Sequence, residues 1–175
     1  MIPAEKLKIL LDEATIEQRI KELGEEISRD FAGKELVLVC ILKGGVIFMS
    51  QLAKSITVPV TMDFIRLSSY GNALISSGEV ELGSDLDNDV AGKEILIVED
   101  IVDSGRTLSF LSSLLIKRGA RSVKICSLLD KPSRRVVPVQ VDYCGFQIPD
   151  KFVLGYGLDY EQYYRNLPYV AYVEE

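Results

Sequence analysis

The sequence contains no histidine and only three cysteines. Without imidazole, Ser-His-Asp and Cys-His nucleophile systems, histidine-built zinc sites and an imidazole proton shuttle are all excluded. Catalysis must rest on carboxylates, Lys, Arg, Tyr, Cys, backbone amides or a bound metal. Cys40, Cys126 and Cys144 form no Cys-x-x-Cys pair, are odd in number and sit in apolar runs, so they read as buried thiols and not as a disulfide framework. No uninterrupted apolar run reaches the ~18 residues of a membrane span, and the N-terminus lacks a basic segment followed by an apolar core. The expectation is a soluble, cytoplasmic protein with no membrane partner. A concentrated basic surface is also missing: 20 Lys and Arg face 26 Asp and Glu, a net charge of −6. That balance argues against nucleic acid as a partner and leaves small anionic substrates open.

What is present fits one domain. A chain of 175 residues, 47% of them hydrophobic, can bury a sizeable core. Thr15-Ile16-Glu17-Gln18 has the form of a capping box, and Ile16, Ile20, Leu23, Ile27 and Phe31 follow on one helical face, predicting an amphipathic helix that ends near Gly33. Leu36 to Leu42 reads as a strand buried on both faces, followed by the turn Lys43-Gly44-Gly45 and a helix from Val46 to Ile56. Val58 to Leu67 is a second strand. From Ser68 to Gly92 the chain is rich in Ser, Gly, Asn and acidic residues, which suggests a mobile loop or a loosely paired hairpin. Glu94 to Val98 is a third strand, Leu108 to Lys117 a helix, Val123 to Leu129 a fourth strand, and Val139 to Phe146 is strand-like before a turn at Pro149-Asp150 and a Tyr-rich tail. Alternating strands and helices favour an α/β fold with a parallel sheet and right-handed crossovers.

The strongest local signal is Val98-Glu99-Asp100-Ile101-Val102-Asp103-Ser104-Gly105-Arg106-Thr107. A buried strand delivers two adjacent carboxylates to the carboxyl edge of the sheet, where open α/β sheets bind ligands. The turn that follows opens a helix, so backbone amides and hydroxyls can surround a phosphate. Anion cradle and carboxylate pair suit a phosphorylated sugar with a hydrated Mg²⁺. Neither Gly33-Lys34 nor Gly92-Lys93 is followed by Ser or Thr, so a Walker loop is absent. Gly155-Tyr156-Gly157 lacks the third glycine of a dinucleotide fingerprint. Asp85-Leu86-Asp87-Asn88-Asp89 imitates the start of an EF-hand, but Val90 replaces the required glycine and Leu96 the terminal Glu, leaving it as solvated loop charge.

The run Val98 to Thr107 resembles the phosphoribosyl-pyrophosphate (PRPP) motif of type I phosphoribosyltransferases. Leu42-Lys43-Gly44-Gly45, Ser68-Ser69-Tyr70-Gly71, Leu128-Leu129-Asp130-Lys131, Pro149 to Tyr160 and Tyr163-Tyr164-Arg165 extend the likeness, in order and spacing, to the hypoxanthine-guanine phosphoribosyltransferase family. The segment from Lys151 to Asp159 is the more specific, because it belongs to that family's purine pocket. The resemblance implies a type I phosphoribosyltransferase fold: a mainly parallel, twisted sheet of about five strands flanked by helices. It implies a core over about 36–135, a small hood from about 1–15 and 136–175, and a lid over about 68–92. The implied reaction moves the 5-phosphoribosyl group from PRPP to N9 of hypoxanthine or guanine, releasing IMP or GMP and pyrophosphate, with Mg²⁺ as cofactor. Homodimers or homotetramers are implied by the same likeness.

Residue by residue, Lys43 and Gly44 would bind pyrophosphate after a Leu42–Lys43 peptide that is often cis in the family. Alone, Lys43-Gly44-Gly45 would be a plain turn between strand and helix. Glu99 and Asp100 would hold the ribose hydroxyls and the hydration shell of one Mg²⁺. Asp103 would be the general base or hydrogen-bond acceptor at purine N7, and Ser104, Gly105, Arg106, Thr107 and Leu108 would wrap the 5′-phosphate. A generic lysine at the position of Lys131 is a solvated charge at a strand end; in the family it donates to the purine 6-oxo oxygen and rejects adenine, whose amino group would leave two donors unpaired at about 1–3 kcal/mol. Phe152 would stack on the purine and the backbone of Val153 would read its edge. Asp159 would position a second Mg²⁺ and Arg165 would hold pyrophosphate. Ser69 and Tyr70 would belong to the lid that shields an oxocarbenium-like transition state from water.

Three positions depart from patterns seen among relatives: Arg106 where some carry Lys, Gly157 where some carry Ala, and Asp130 where others are apolar or basic. Two other functions share the PRPP motif, a xanthine-guanine phosphoribosyltransferase and a PRPP-sensing regulator. The acidic charge and the set Lys131, Phe152 and Asp159 speak against an RNA-binding regulator.

Overall fold

A computed structural model of the chain describes residues 2–3, 6–69 and 80–174. In chain order its elements are β1 (Leu7–Leu11), α1 (Glu13–Asp30), β2 (Leu36–Ile41), α2 (Val46–Ser55), β3 (Val60–Ser69), β4 (Val80–Ser84), β5 (Glu94–Val102), α3 (Arg106–Lys117), β6 (Ser122–Asp130), β7 (Tyr143–Gln147), β8 (Val153–Leu154) and β9 (Val170–Val173). Six strands form the main sheet in the order β4-β3-β2-β5-β6-β7, and β1-β9-β8 form a separate antiparallel sheet. All pairs from β3 across to β7 are parallel, and β4 joins β3 antiparallel at the edge. The α/β class and the mainly parallel sheet expected from the strand-helix alternation are therefore observed.

Period-2 geometry sorts the central strands. Leu38 and Cys40 of β2, with Leu96 and Val98 of β5, face the layer of α1 and α2, where Ile16, Ile20, Leu23, Ile27, Phe48 and Leu52 complete the packing. Val39 and Ile41 with Ile95 and Ile97 face the opposite layer, covered by Leu108, Leu111 and Leu115 of α3. Helices on both faces explain why these strands read as continuous apolar runs.

Several boundaries differ from the sequence reading. The N-cap of α1 is Asp12, whose carboxylate accepts from the Thr15 amide at 2.8 Å, so the helix begins ahead of the Thr15 capping box. An acidic cap followed by Glu13 places negative charge at the positive end of the helix dipole. β5 continues through Glu99 and Asp100 to Val102 because β6 pairs with it along that whole length. Tyr143–Gln147 pairs with β6 inside the main sheet, while β1, β8 and β9 form the separate sheet. Arg19 covers the exposed edge of β7, donating to the Cys144 and Gly145 carbonyls at 2.9 and 3.2 Å.

Of the two readings of Ser68 to Gly92, loop or hairpin, the pairing favours the hairpin: Ser68 and Ser69 pair antiparallel with Glu81 and Val80. Residues 70–79, including Tyr70, lie outside the described residues, while Val80–Ser84 is a paired strand. Beyond it, the acidic run is tied down. Asp85 makes a two-pronged ion pair with Arg118 at 2.6 and 2.7 Å. The buried Asp63 carboxylate of β3 accepts from the amides of Phe64, Asp87 and Asn88 and from the Asn88 side chain, at 2.8 to 3.2 Å. Burial alone would raise the pKa of Asp63, but those donors outweigh it and hold the carboxyl below its ordinary value of 3.8. The stability from this anchor is thus complete above pH 3.8 and is lost as pH falls through the lower folded-state value. Asp63→Asn is expected to cost about 1–3 kcal/mol at neutral pH, with the gap to the parent closing in urea titrations run in strong acid. An equal gap at both pH values would show that the ionised carboxylate is not the anchor.

Candidate active site

The chain order creates the site. α2 carries the chain from β2 to β3 on one side, while β5 lies on the other side of β2, so a crevice opens beyond the carboxyl ends of β2 and β5. A cleft of about 290 Å³ occupies that place. Its lining includes Gly44 from the turn after β2, Glu99 and Asp100 from β5, and Asp103, Ser104, Gly105, Thr107 and Leu108 from the turn into α3. Arg165 reaches it from the C-terminal segment.

Gly44 shows why the first turn needs glycine. A Cβ there would lie 1.8 Å from Asp100 Oδ2, so the backbone rests directly on the carboxylate. The Leu42–Lys43 peptide before it is cis, as the resemblance implies. Gly157 closes the turn from above with φ +98°, and a Cβ on it would meet the Gly44 carbonyl oxygen at 2.1 Å. The departure from alanine at this position therefore coincides with contact between the C-terminal segment and the Gly44 backbone.

Glu99 and Asp100 are both buried. Their side chains turn back on the chain: Glu99 Oε1 accepts from the Asp100 amide at 3.1 Å, and Asp100 Oδ1 from the Ile101 amide at 2.8 Å. Burial pushes both carboxyls up, Glu99 further because the Asp100 charge adds to it. Two adjacent buried carboxylates with few donors are a costly arrangement unless a cation or hydroxyl donors meet them. Hard carboxylate oxygens suit a divalent cation such as Mg²⁺. Among the described residues no cluster of three or more Asp, Glu, His or Cys side chains forms a complete cage.

The turn from Asp103 to Thr107 is clamped from outside. Gly105 adopts φ +83° as the residue before α3, and the Val136 and Val137 amides donate to the Ser104 carbonyl at 2.9 and 3.0 Å. Arg135 donates to the Asp103 carbonyl at 2.7 Å and pairs with Asp130. The first amides of α3 have no carbonyl partner within the helix; that of Arg106 donates to Ser104 Oγ at 3.4 Å, and Thr107 and Leu108 line the cleft. Asp130 is thus paired with Arg135, two elements along the chain from the Asp103 turn that the same arginine holds.

Other expected residues stand outside this cleft's lining. Lys131 is buried at the end of β6, held by its amide to the Val102 carbonyl at 2.9 Å, and its ammonium makes no hydrogen bond or ion pair among the described residues. Phe152 is 53% exposed and meets Tyr160 edge to face at 5.8 Å, while Val153 is buried in β8. Asp159 pairs with Arg165 at 2.7 Å and accepts from the Gln162 amide. Arg165 also donates to the Gly157 carbonyl at 2.7 Å. Lys43 points at Gln162, 3.1 Å from its amide oxygen, and Arg106 opens α3. Ser69 ends β3, and Tyr70 lies outside the described residues. Sequence reasoning missed Gln162, which links Lys43 to Arg165, and missed Arg134 and Arg135, although two adjacent arginines just after Lys131 were a readable signal.

Residues 6–161 match the family model described as "Phosphoribosyl transferase domain". The hypoxanthine-guanine phosphoribosyltransferase of Bacillus subtilis is 49% identical over 164 residues, covering 94% of this chain and 91% of that protein. The hypoxanthine phosphoribosyltransferase of Salmonella typhimurium is 48% identical over 169 residues, 95% of each chain. A crystal structure of a hypoxanthine phosphoribosyltransferase from Staphylococcus aureus superposes with a TM-score of 0.93 at 44% identity, covering 97% of this chain and 93% of that one. The carboxylate pair and anion cradle at the β2/β5 crevice thus sit in a chain that belongs to the phosphoribosyltransferase family and, within it, to the hypoxanthine-guanine phosphoribosyltransferases.

Proposed function

We propose that the β2/β5 cleft binds PRPP with Mg²⁺ and that the residues around it divide the work of the family's reaction. As a member of this family the chain is an enzyme of purine salvage. It transfers the 5-phosphoribosyl group of PRPP to N9 of hypoxanthine or guanine, forming IMP or GMP and pyrophosphate. The observation that carries the assignment of parts is the buried Glu99–Asp100 pair beside the opening of α3.

In this reading Ser104 to Leu108 hold the 5′-phosphate through the amides and hydroxyls of the first turn of α3. Glu99 and Asp100 take the ribose hydroxyls and the water shell of one Mg²⁺, and Asp159 positions a second. When bound, Mg²⁺ neutralises charge developing on the pyrophosphate leaving group. Gly44, Lys43 and Arg165 receive that pyrophosphate; separating Arg165 from Asp159 would free both for substrate. Ser69 and Tyr70 belong to a lid that excludes water while the ribosyl carbon carries positive charge.

Lys131 donates to the 6-oxo oxygen of the base, a reading supported by its ammonium having no partner among the described residues. Phe152, exposed and braced by Tyr160, stacks on the purine, and Val153 reads its edge through the backbone. Asp103 accepts the purine proton or orients N7. With no histidine in the chain, a carboxylate beside the cradle is the available acceptor.

Incubation with PRPP, Mg²⁺ and each of hypoxanthine, guanine, xanthine and adenine should yield nucleotide and pyrophosphate from the first two and none from adenine. Preference for xanthine would instead indicate a xanthine-guanine enzyme, and no product from any 6-oxopurine would indicate a PRPP-binding regulator. Chelation of Mg²⁺ should abolish turnover and its return restore it. Asp103→Asn should slow kcat by at least about tenfold while leaving the affinity for PRPP within about threefold; an unchanged kcat removes Asp103 from the mechanism. Lys131→Ala should cut kcat/KM for hypoxanthine by about ten- to a hundredfold and narrow the preference over adenine. Equal losses for PRPP binding would place that lysine elsewhere.

A further inference from the structure

Arg134 lies at the end of the short 3-10 turn Pro132–Arg134 that follows Lys131, with its amide bonded to the Lys131 carbonyl at 3.1 Å. Its Nε donates to Asp103 Oδ1 at 3.2 Å, and its Nη1 donates to Asp150 Oδ2 at 3.4 Å. One guanidinium therefore joins two segments that share no strand: the turn carrying Asp103, and Pro149-Asp150, which leads straight into Lys151, Phe152 and Val153. Among the described residues the second oxygen of Asp103 makes no hydrogen bond, so Arg134 holds one oxygen of a residue that lines the cleft and leaves the other without a protein partner. Arg135 next to it does separate work, bonding the Asp103 carbonyl and Asp130.

We infer that Arg134 is a positioning residue for Asp103, fixing the carboxylate that meets the purine and keeping it in step with the segment that carries Phe152 and Val153. The inference rests on the assignment of Asp103 made above. All three side chains are about half exposed, so the ion pairs add little to folding stability, and their value lies in the orientation of one carboxylate. A planar fork can hold two carboxylates at once, which an ammonium does less well.

The test compares kcat and KM for PRPP and hypoxanthine, with thermal melting, in the parent, Arg134→Met, Arg134→Lys, Asp103→Asn and the Arg134→Met/Asp103→Asn double variant. Arg134→Met should lower kcat about three- to fivefold with the KM for PRPP and the melting temperature unchanged, and Lys should restore part of it. In the Asp103→Asn background Arg134→Met should cost nothing further, because its effect passes through that carboxylate. The same fold loss in both backgrounds, or a loss that follows a fall in melting temperature, would overturn the role. Slowed turnover in Asp103→Asn beside full turnover in Arg134→Met removes Arg134 alone; full turnover in Asp103→Asn removes the base assignment and the role of Arg134 together.

Discussion

Two adjacent carboxylates held out of water at the end of a central strand are the constraint on which this structure turns. Glu99 and Asp100 are buried just past Val98, where the pairing of β5 with β2 ends while its pairing with β6 runs on to Val102. Charge so placed raises its own pKa and leaves the pair short of partners. Rigid surroundings keep the two from separating: Gly44 presses its backbone on Asp100, and the strand holds both residues to its extended geometry. Under the proposed function that cost is offset by the cation and hydroxyls of the substrate complex.

The smaller sheet links the chain ends to that site. β1 pairs with β9 and β9 with β8, so the N- and C-terminal segments form one body. Gly157 brings this body against the Gly44 carbonyl, and Arg165 enters the cleft with Asp159 and Gln162 arranged around it. Across the cleft, the arginines after Lys131 tie the turn of Asp103 to Asp130 and Asp150. Three separate stretches of chain thus converge, each held by hydrogen bonds to another stretch.

Much of this was legible in the residues. The apolar runs of β2, β5 and β6 marked a parallel sheet because strands covered on both faces lose their polar alternation. The run from Val98 to Thr107 showed both carboxylates and the turn that lines the cleft with them because those residues are contiguous. Less legible were ends of elements: Asp12 took the cap that Thr15 suggested, since either side chain can close a first turn and only the path of β1 decides which does. The acidic residues from Asp85 to Asp89 read as solvated charge and their side chains are exposed; less legible was that Asp63 and Arg118, distant in sequence, hold the stretch.

The missing histidine, the acidic balance and the contiguous motifs were settled by the sequence itself, because composition and local order need no partner to be read. The sequence alone also determined which strands could lie in the middle of a parallel sheet. Tertiary structure decided what depends on distant pairs: that β5 lies on the far side of β2 from β3 and opens the crevice, that Gly157 stands over Gly44, and that Gln162, Arg134 and Arg135 reach the site's edge. Contacts of that kind are set by packing of whole layers, and no short window of sequence contains both partners.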